Sequence, residues 1–362
     1  MIRISRLDAS SENEYRRLLA ANPDALIYAT PEYRDFLSAV LAGEPVYLIA
    51  RSGEEAVGAL PCFRCCHDGV GVVLNSLPWY GSHGGCIVSE RNAQGVREAL
   101  LAAYLEMGTA SDVISAVLIL TPFEEDRRNL YQDTLRPSAI DHRVGQITSL
   151  PSPGAGLIER LDKTVTQKTR NLIRKALKQG FRMEIRDDES TWRFLHQTHE
   201  ENMAAIGGRA KPWAHFVALR EKLPTDWRSL FVAYLDDKPV AALLLLYYKI
   251  TVEYFTPVIK HKYRPLQPLT FLIWHAMVDA AERGCRRWNW GGTWNSQVSL
   301  HHFKAGWGAR DCPYTYFINA DRDAVAWMRA RRQMLLAAFP CYYLYPFAQL
   351  EETNVAKPGR GS

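Results

Sequence analysis

SLFVAYLDDKPVAALLLLYY, residues 229–248, reads as a strand, a turn at Asp236-Asp237 and a second strand. The run PVAALLLLYY (239–248) is far too short to span a bilayer and has the unbroken apolar character of a buried strand. The same order of elements occurs upstream in PVYLIARSGEEAVGALPCFRCC (45–66), with its turn at Ser52-Gly53. Each hairpin is followed by further strand-like residues and then a helical pattern, VREALLAAYLEM (96–107) or TFLIWHAMVDAAERG (270–284). In the latter, Phe271, Trp274, His275 and Val278 recur at helical spacing and Gly284 supplies a stop. An α/β (α+β) half built on an antiparallel hairpin therefore occurs twice. PSPGAG (151–156) is the natural linker, so the expected domains are 1–150 and 151–320, with a C-terminal helix and tail over 321–362.

The length of 362 residues suits two domains rather than one core. A formal charge of +5 is too small to argue for a nucleic-acid partner, so the placement of charge matters more than its sum. The opening MIRISRLDASSENEY has no apolar run behind its charges, and the reading is of a cytoplasmic protein without a secretory leader. Among seven cysteines, Cys62, Cys65 and Cys66 lie close together. No second cysteine or histidine pair faces them, and no metal is expected.

Four stretches carry candidate chemistry. LDKTVTQKTRNLIRKALKQGFRMEI (161–185) reads as a basic helix with an apolar stripe through Val165, Leu172, Ile173, Ala176 and Leu177. From Lys163 to Arg182 it holds seven basic residues and no acidic one, which suits phosphate on RNA or on a nucleotide-linked substrate. A solvated charged face is the alternative. LPWYGSHGGCIV (77–88) sets Tyr80, His83, Gly84 and Gly85 in a loop that lets a ligand approach the backbone. YFTPVIKHKYRPLQPLTFLIW (254–274) crowds Lys260, His261, Lys262 and Arg264 before a helix N-terminus, where an anion is favoured. In RRWNWGGTWNSQVSLHHFKAGWGAR (286–310), a strand through Trp288 and Trp290 is cut at Gly291-Gly292, and a short helix leads to Phe303-Lys304. His301 and His302 are candidate bases there, and at most one can face a cleft. The chain has no GxSxG elbow, P-loop, HExxH or strand-to-helix GxGxxG.

QKTRNLIRKALKQGF, AAERGCRRWNWGGTWNS and LHHFKAGWGA together resemble the Fem-type (FemAB-like) aminoacyltransferases and their relatives in the GNAT acyltransferase superfamily. The matching positions are Lys168 to Ala176, Gly284, Asn289 to Gly292 and Phe303 to Gly308, and the order of elements extends the likeness over residues 25–318. The resemblance implies two tandem GNAT-like domains, each a mixed, largely antiparallel sheet flanked by helices, around a shared cleft. It implies N-acyl transfer from aminoacyl-tRNA to an amine of a peptide, nucleotide-linked or cell-wall-precursor-like acceptor, with no separate cofactor. Lys304 would then stabilise charge at the reacting centre, with His302 the second catalytic candidate. Lys168, Arg170, Arg174 and Arg264 would handle phosphate, while Tyr80, His83, Gly84, Gly85, Trp290, Gly292 and Trp294 would line the substrate pocket.

Two other readings stay open. One keeps the fold with an acyl-CoA donor, in polysaccharide or secondary-metabolite biosynthesis. Against it, the usual pyrophosphate loop R/Q-x-x-G-x-G/A is replaced here by Arg264-Pro-Leu-Gln267-Pro-Leu, which offers fewer backbone N–H groups. The other is a non-catalytic RNA- or nucleotide-binding module. Finally, AVAWMRARRQMLLAAFPCYYLYPF (324–347) reads as a basic amphipathic helix followed by aromatics, either packed on the body or resting on a membrane surface.

Overall fold

The computed structural model describes residues 2–78, 83–90, 93–293 and 297–347. The chain divides into two compact units, Met1–Arg143 with Pro313–Ser362, and Val144–Cys312.

In the first unit, strands β1 (Ile2–Arg6), β3 (Leu48–Ser52), β4 (Glu55–Leu60) and β7 (Ile87–Val88) form an antiparallel sheet in the order β1-β3-β4-β7. The hairpin turn of β3 and β4 passes through Gly53 at φ +60, a left-handed conformation that glycine adopts without strain. A second group joins β2 (Glu44–Pro45), β5 (Phe63–His67), β6 (Gly71–Asn75) and β8 (Val113–Ile119), with β6 and β8 parallel and the other pairs antiparallel. The end of β15 (Arg310–Asn319) closes this group, antiparallel to β8 through Tyr316–Asn319. Helices α1 (Glu12–Ala21), α2 (Pro31–Val40), α3 (Gln94–Gly108) and α4 (Arg128–Leu135) complete the unit. Leu100, Leu101 and Tyr104 of α3 pack into its core with Leu60, Leu74 and Leu118.

The second unit begins within β9 (Ala139–Ser149). Its sheet runs β10 (Arg182–Ile185), β11 (Arg228–Leu235), β12 (Lys238–Tyr248), β13 (Thr251–Ile259), β14 (Arg287–Thr293), then β9, all antiparallel except β13 with β14. The hairpin 229–248 forms as read, as β11 and β12. Asp236 and Asp237 turn it at φ +49 and +56, the left-handed pair a two-residue hairpin requires and that Asp tolerates. Residues 240–247 of β12 are buried without interruption, which requires cover on both faces of the sheet. Burying each leucine of this run contributes roughly 1.5–3 kcal/mol. Helix α9 (Pro268–Glu282) packs on β11 and β12, while α7 (Glu189–Ala204) packs on β12 and β13. Helices α5 (Leu157–Thr164), α6 (Gln167–Leu177), α8 (Trp213–Lys222) and α10 (Val298–Gly306) fill the remainder.

Three features differ from the sequence reading. The basic stretch 161–185 is not one helix. α5 ends where Val165 turns extended, and Thr166 caps α6 by accepting from the Thr169 N–H. The chain then enters β10. The PSPGAG segment lies inside the second unit, because Leu150 N–H donates to Arg286 O at 2.9 Å and Arg160 to Ser152 O at 2.7 Å. The division falls at 143 rather than 150, and the chain returns to the first unit at 313 rather than ending a domain at 320.

The expected C-terminal helix is two short ones, α11 (Arg322–Ala330) and α12 (Arg332–Ala338). The aromatics after them pack on the first unit. Tyr343 exchanges two bonds with the Asn75 amide at 2.8 and 2.9 Å, and Ser115 Oγ donates to Leu344 O at 2.5 Å.

Candidate active site

Strand β13 sets the centre of the second unit's site. Along β12 its register shifts: Thr256 faces Leu244 and Tyr254 faces Leu245, so Phe255 is an extra residue, a β-bulge. Along β14 the parallel pairing covers only Thr251–Glu253 against Arg287–Asn289. Among the described residues no pairing follows, although β13 continues to Ile259 and β14 to Thr293. Two strands that pair over three residues and then part leave a wedge edged by peptide groups, suited to an extended acyl donor. The bulge bends β13 at the point of parting. Tyr254 fills one side, its ring 4.9 Å from Trp290 and 6.0 Å from Trp288.

Lys304 anchors the far end of β14. It is 3% exposed. Its ammonium donates to Gly291 O at 3.3 Å, Gly292 O at 3.2 Å and Thr293 Oγ1 at 2.8 Å. Thr293 donates in turn to Gln146 Oε1, and the Gln146 amide to His301 O. Burial lowers the Lys304 pKa to about 8. The sequence reading gave this lysine an anion to meet. In the structure its three N–H groups are spent on the protein, because the turn through Gly291, at φ +71, presents carbonyls to it. These bonds tie Lys304 to the end of β14.

The glycines framing Lys304 have a packing cause. A Cβ on Gly308, at φ +77, would lie 2.5 Å from Thr164 O, and one on Gly306 would lie 2.7 Å from Thr169 Oγ1. The Lys304 turn is pressed onto the α5–α6 junction, where Thr166 N–H donates to Gly306 O at 2.9 Å. Trp290 Nε1 donates to Thr148 Oγ1 at 2.9 Å, and Thr148 donates to Trp307 O at 3.1 Å, tying β14 to this turn through β9.

The other expected residues separate into groups. Trp290 is buried beside Trp288, and Gly292 serves Lys304. Lys168 and Arg174 are exposed on α6 with Lys175 and Lys178. Arg170 is not available for phosphate. It donates to Asp162 O, Val165 O and Gln167 Oε1 at 2.8–3.1 Å, satisfying carbonyls at the end of α5. Arg264 is exposed on a six-residue 3-10 helix, His261–Leu266, before α9. His302 lies exposed on α10, away from the wall that Lys304 completes, while its neighbour His301 pairs with Asp311 at 2.8 Å. Tyr80 and Trp294 lie outside the described residues.

His83 and Gly85 line a cavity of about 120 Å³ in the first unit, together with Asn22, Arg97, Thr121 and Glu124. His83 is 7% exposed, its Nδ1 has no hydrogen-bond partner, and burial pushes its pKa down to about 4. Arg97 is buried and ion-paired with Glu124, which also accepts from Tyr131 at 2.6 Å. Gly84 is glycine for another reason: a Cβ there would meet Leu77 N at 2.7 Å.

Sequence reasoning missed Lys211. Its ammonium donates to Thr256 Oγ1 at 3.0 Å and lies 4.3 Å from the centre of the Phe255 ring, at the bulge of β13. Its own N–H donates to His199 Nε2 at 3.1 Å. Burial lowers its pKa to about 8. The only local signal is a lysine before a proline in a glycine-bearing loop, which carries no periodicity.

Residues 163–305 match the family model described as an acetyltransferase (GNAT) domain. This stretch is a GNAT domain. The match covers the second unit's parted strands, α6, α9 and Lys304, but not the first unit. No curated protein matches the chain in sequence. Among solved structures, FemX superposes with a TM-score of 0.71 at 13% identity, over 90% of this chain and 99% of that one. A tandem GNAT protein from the clavulanic acid biosynthesis pathway gives 0.53 at 13%, over 88% and 98%. The C-terminal domain of a putative lysylphosphatidylglycerol synthetase from Agrobacterium fabrum gives 0.55 at 12%, over 93% and 99%. At such identities the likeness is one of fold. The GNAT domain thus sits in a chain whose fold is similar, over about nine-tenths of its length, to those of these solved structures. Among the described residues no helix is long and apolar enough to cross a membrane, and no cluster of three or more ligating side chains could hold a metal.

Proposed function

We propose that the chain is an N-acyltransferase that takes an aminoacyl group from aminoacyl-tRNA and joins it to an amine of a peptide or cell-wall-precursor-like acceptor. The observation that carries this reading is the single-signed face of α6. Lys168, Arg174, Lys175 and Lys178 are all exposed on a helix packed against α9 of the GNAT domain. A polyphosphate backbone is the partner such a face suits. The wedge between β13 and β14 takes the ester, and Lys304 holds the strand end that shapes it. The reaction belongs in the cytoplasm, where charged tRNA is found.

A second reading, with an acyl-CoA donor, is favoured by the cations Lys260, Lys262 and Arg264 gathered before the N-terminus of α9. Against it, the helix opens on Pro268 after Pro265, and proline supplies no N–H to a pyrophosphate. Thermal melting with acetyl-CoA in millimolar excess, followed by transfer assays with charged tRNA, separates the donors. A ligand at 100 times its Kd adds about 2.7 kcal/mol, several degrees of melting temperature. A clear shift with acetyl-CoA and no transfer from charged tRNA overturns the first reading.

A further inference from the structure

We infer that Lys211 is the general base of the transfer, taking the proton from the acceptor nitrogen at the place where β13 parts from β14. The inference rests on the acyltransferase reading. Its geometric ground is the bulge itself. Pairing with β14 ends at Glu253, the extra residue is Phe255, and the Lys211 ammonium touches Phe255 and Thr256 at once. It is therefore fixed on the bulge, two to three residues past the last β13–β14 pair.

The surroundings keep it ready for this task. His199 on α7 accepts the Lys211 backbone N–H and so fixes the loop, while Pro212 follows directly and caps α8. Among the groups near Lys211 are His199 from α7, His215 from α8, and Thr256 and Phe255 from β13; His196 lies near His199, and Arg209 near His215. Burial, with Lys211 adding to it, holds His199 at about 4 and His215 below the ordinary imidazole range, so both stay neutral around pH 7. Burial likewise leaves a useful fraction of Lys211 as the uncharged amine near neutral pH.

The step balances as follows. The acceptor enters as R–NH2, having left one proton to solvent. Its nitrogen lone pair forms the C–N bond to the ester carbonyl carbon, and the C=O pair moves onto oxygen. The nitrogen, now positive, gives a proton to the Lys211 amine. Collapse restores C=O and breaks the C–O bond to the tRNA ribose. The departing oxygen takes the proton from Lys211, which is thereby reset.

Two measurements on the full-length chain test this. Competitive labelling with acetic anhydride across pH, read by mass spectrometry, reports the titration of Lys211 whatever the chain's activity. Titration near 8 is expected, and titration near 10.5 overturns the inference. Single-turnover transfer is then followed against pH for wild type, Lys211→Met and Lys211→Arg, from charged tRNA and from acyl-CoA. The expected result is a rising limb near pH 8 in wild type, and a loss of about 100-fold or more in both variants. Arginine keeps the charge but cannot give up a proton. Recovery of the rate by Lys211→Arg overturns the base and leaves a purely electrostatic role. Absence of transfer from either donor, with Lys211 still titrating near 8, overturns the transferase reading and the base with it.

Discussion

The Lys304 ammonium donates to the Thr293 hydroxyl at 2.8 Å and, with the same three-proton head, to the carbonyls of Gly291 and Gly292. One side chain from α10 thus terminates β14. Lys304→Met leaves those acceptors without their donor, and transfer should fall by tenfold or more with the far-ultraviolet spectrum unchanged. A variant with unaltered transfer would show that the strand end does not depend on the lysine.

The same lysine makes a prediction about pH. Its folded pKa of about 8 lies below the unfolded value of 10.5. Between the two, the unfolded chain binds more protons, so stability rises with pH. The wild type should gain on Lys304→Met in urea unfolding, on the order of 2 kcal/mol between pH 7 and pH 10. A constant difference across that range would contradict the burial of its charge.

Gly308→Ala should be costly. The φ of +77 and the Thr164 carbonyl 2.5 Å from the added Cβ both oppose it, and a loss of at least about 2 kcal/mol is expected by chemical denaturation. Gly95, exposed in α3 with nothing near its Cβ position, is the control. Gly95→Ala should stabilise by about 0.5–1 kcal/mol.

Acid should weaken the first unit through His83. Its folded pKa of about 4 lies below the ordinary imidazole value of 6.5. Stability is therefore full above pH 6.5 and is lost as pH falls toward 4, by about 3 kcal/mol at pH 4. In His83→Gln the fall over this window should shrink by that amount.

On α6 the basic residues should divide by role. Removing Lys168, Arg174, Lys175 and Lys178 should weaken tRNA binding and lower its log–log salt slope by roughly 0.7–0.9 for each phosphate no longer neutralised. Arg170→Ala should leave the slope unchanged and lower the melting temperature, since its guanidinium serves the end of α5.

The parts of the fold visible in the sequence are those whose cause is local. The buried run of β12, the Asp236-Asp237 turn and the Gly284 stop each follow from adjacent residues. The break between α5 and α6 was also local, a threonine cap at Thr166, but one-signed charge running across it masked it. The site was less legible. Lys304 stood out by its frame, yet its orientation depends on a hydroxyl eleven residues upstream and carbonyls twelve and thirteen upstream. Lys211 meets Thr256 forty-five residues away, and Arg97 meets Glu124 across α3 and β8. No periodicity within a segment encodes such meetings.

The return of the chain to the first unit at Pro313 bears on how the protein is made. On the ribosome, all of Val144–Cys312 emerges before the segment that completes the earlier unit. The GNAT domain can fold first, while the N-terminal part waits for β15 to line β8 and for Tyr343 and Leu344 to reach Asn75 and Ser115. Synthesis arrested after residue 312 would leave the GNAT domain with its full sequence while the first unit still lacked β15 and the Tyr343–Leu344 segment.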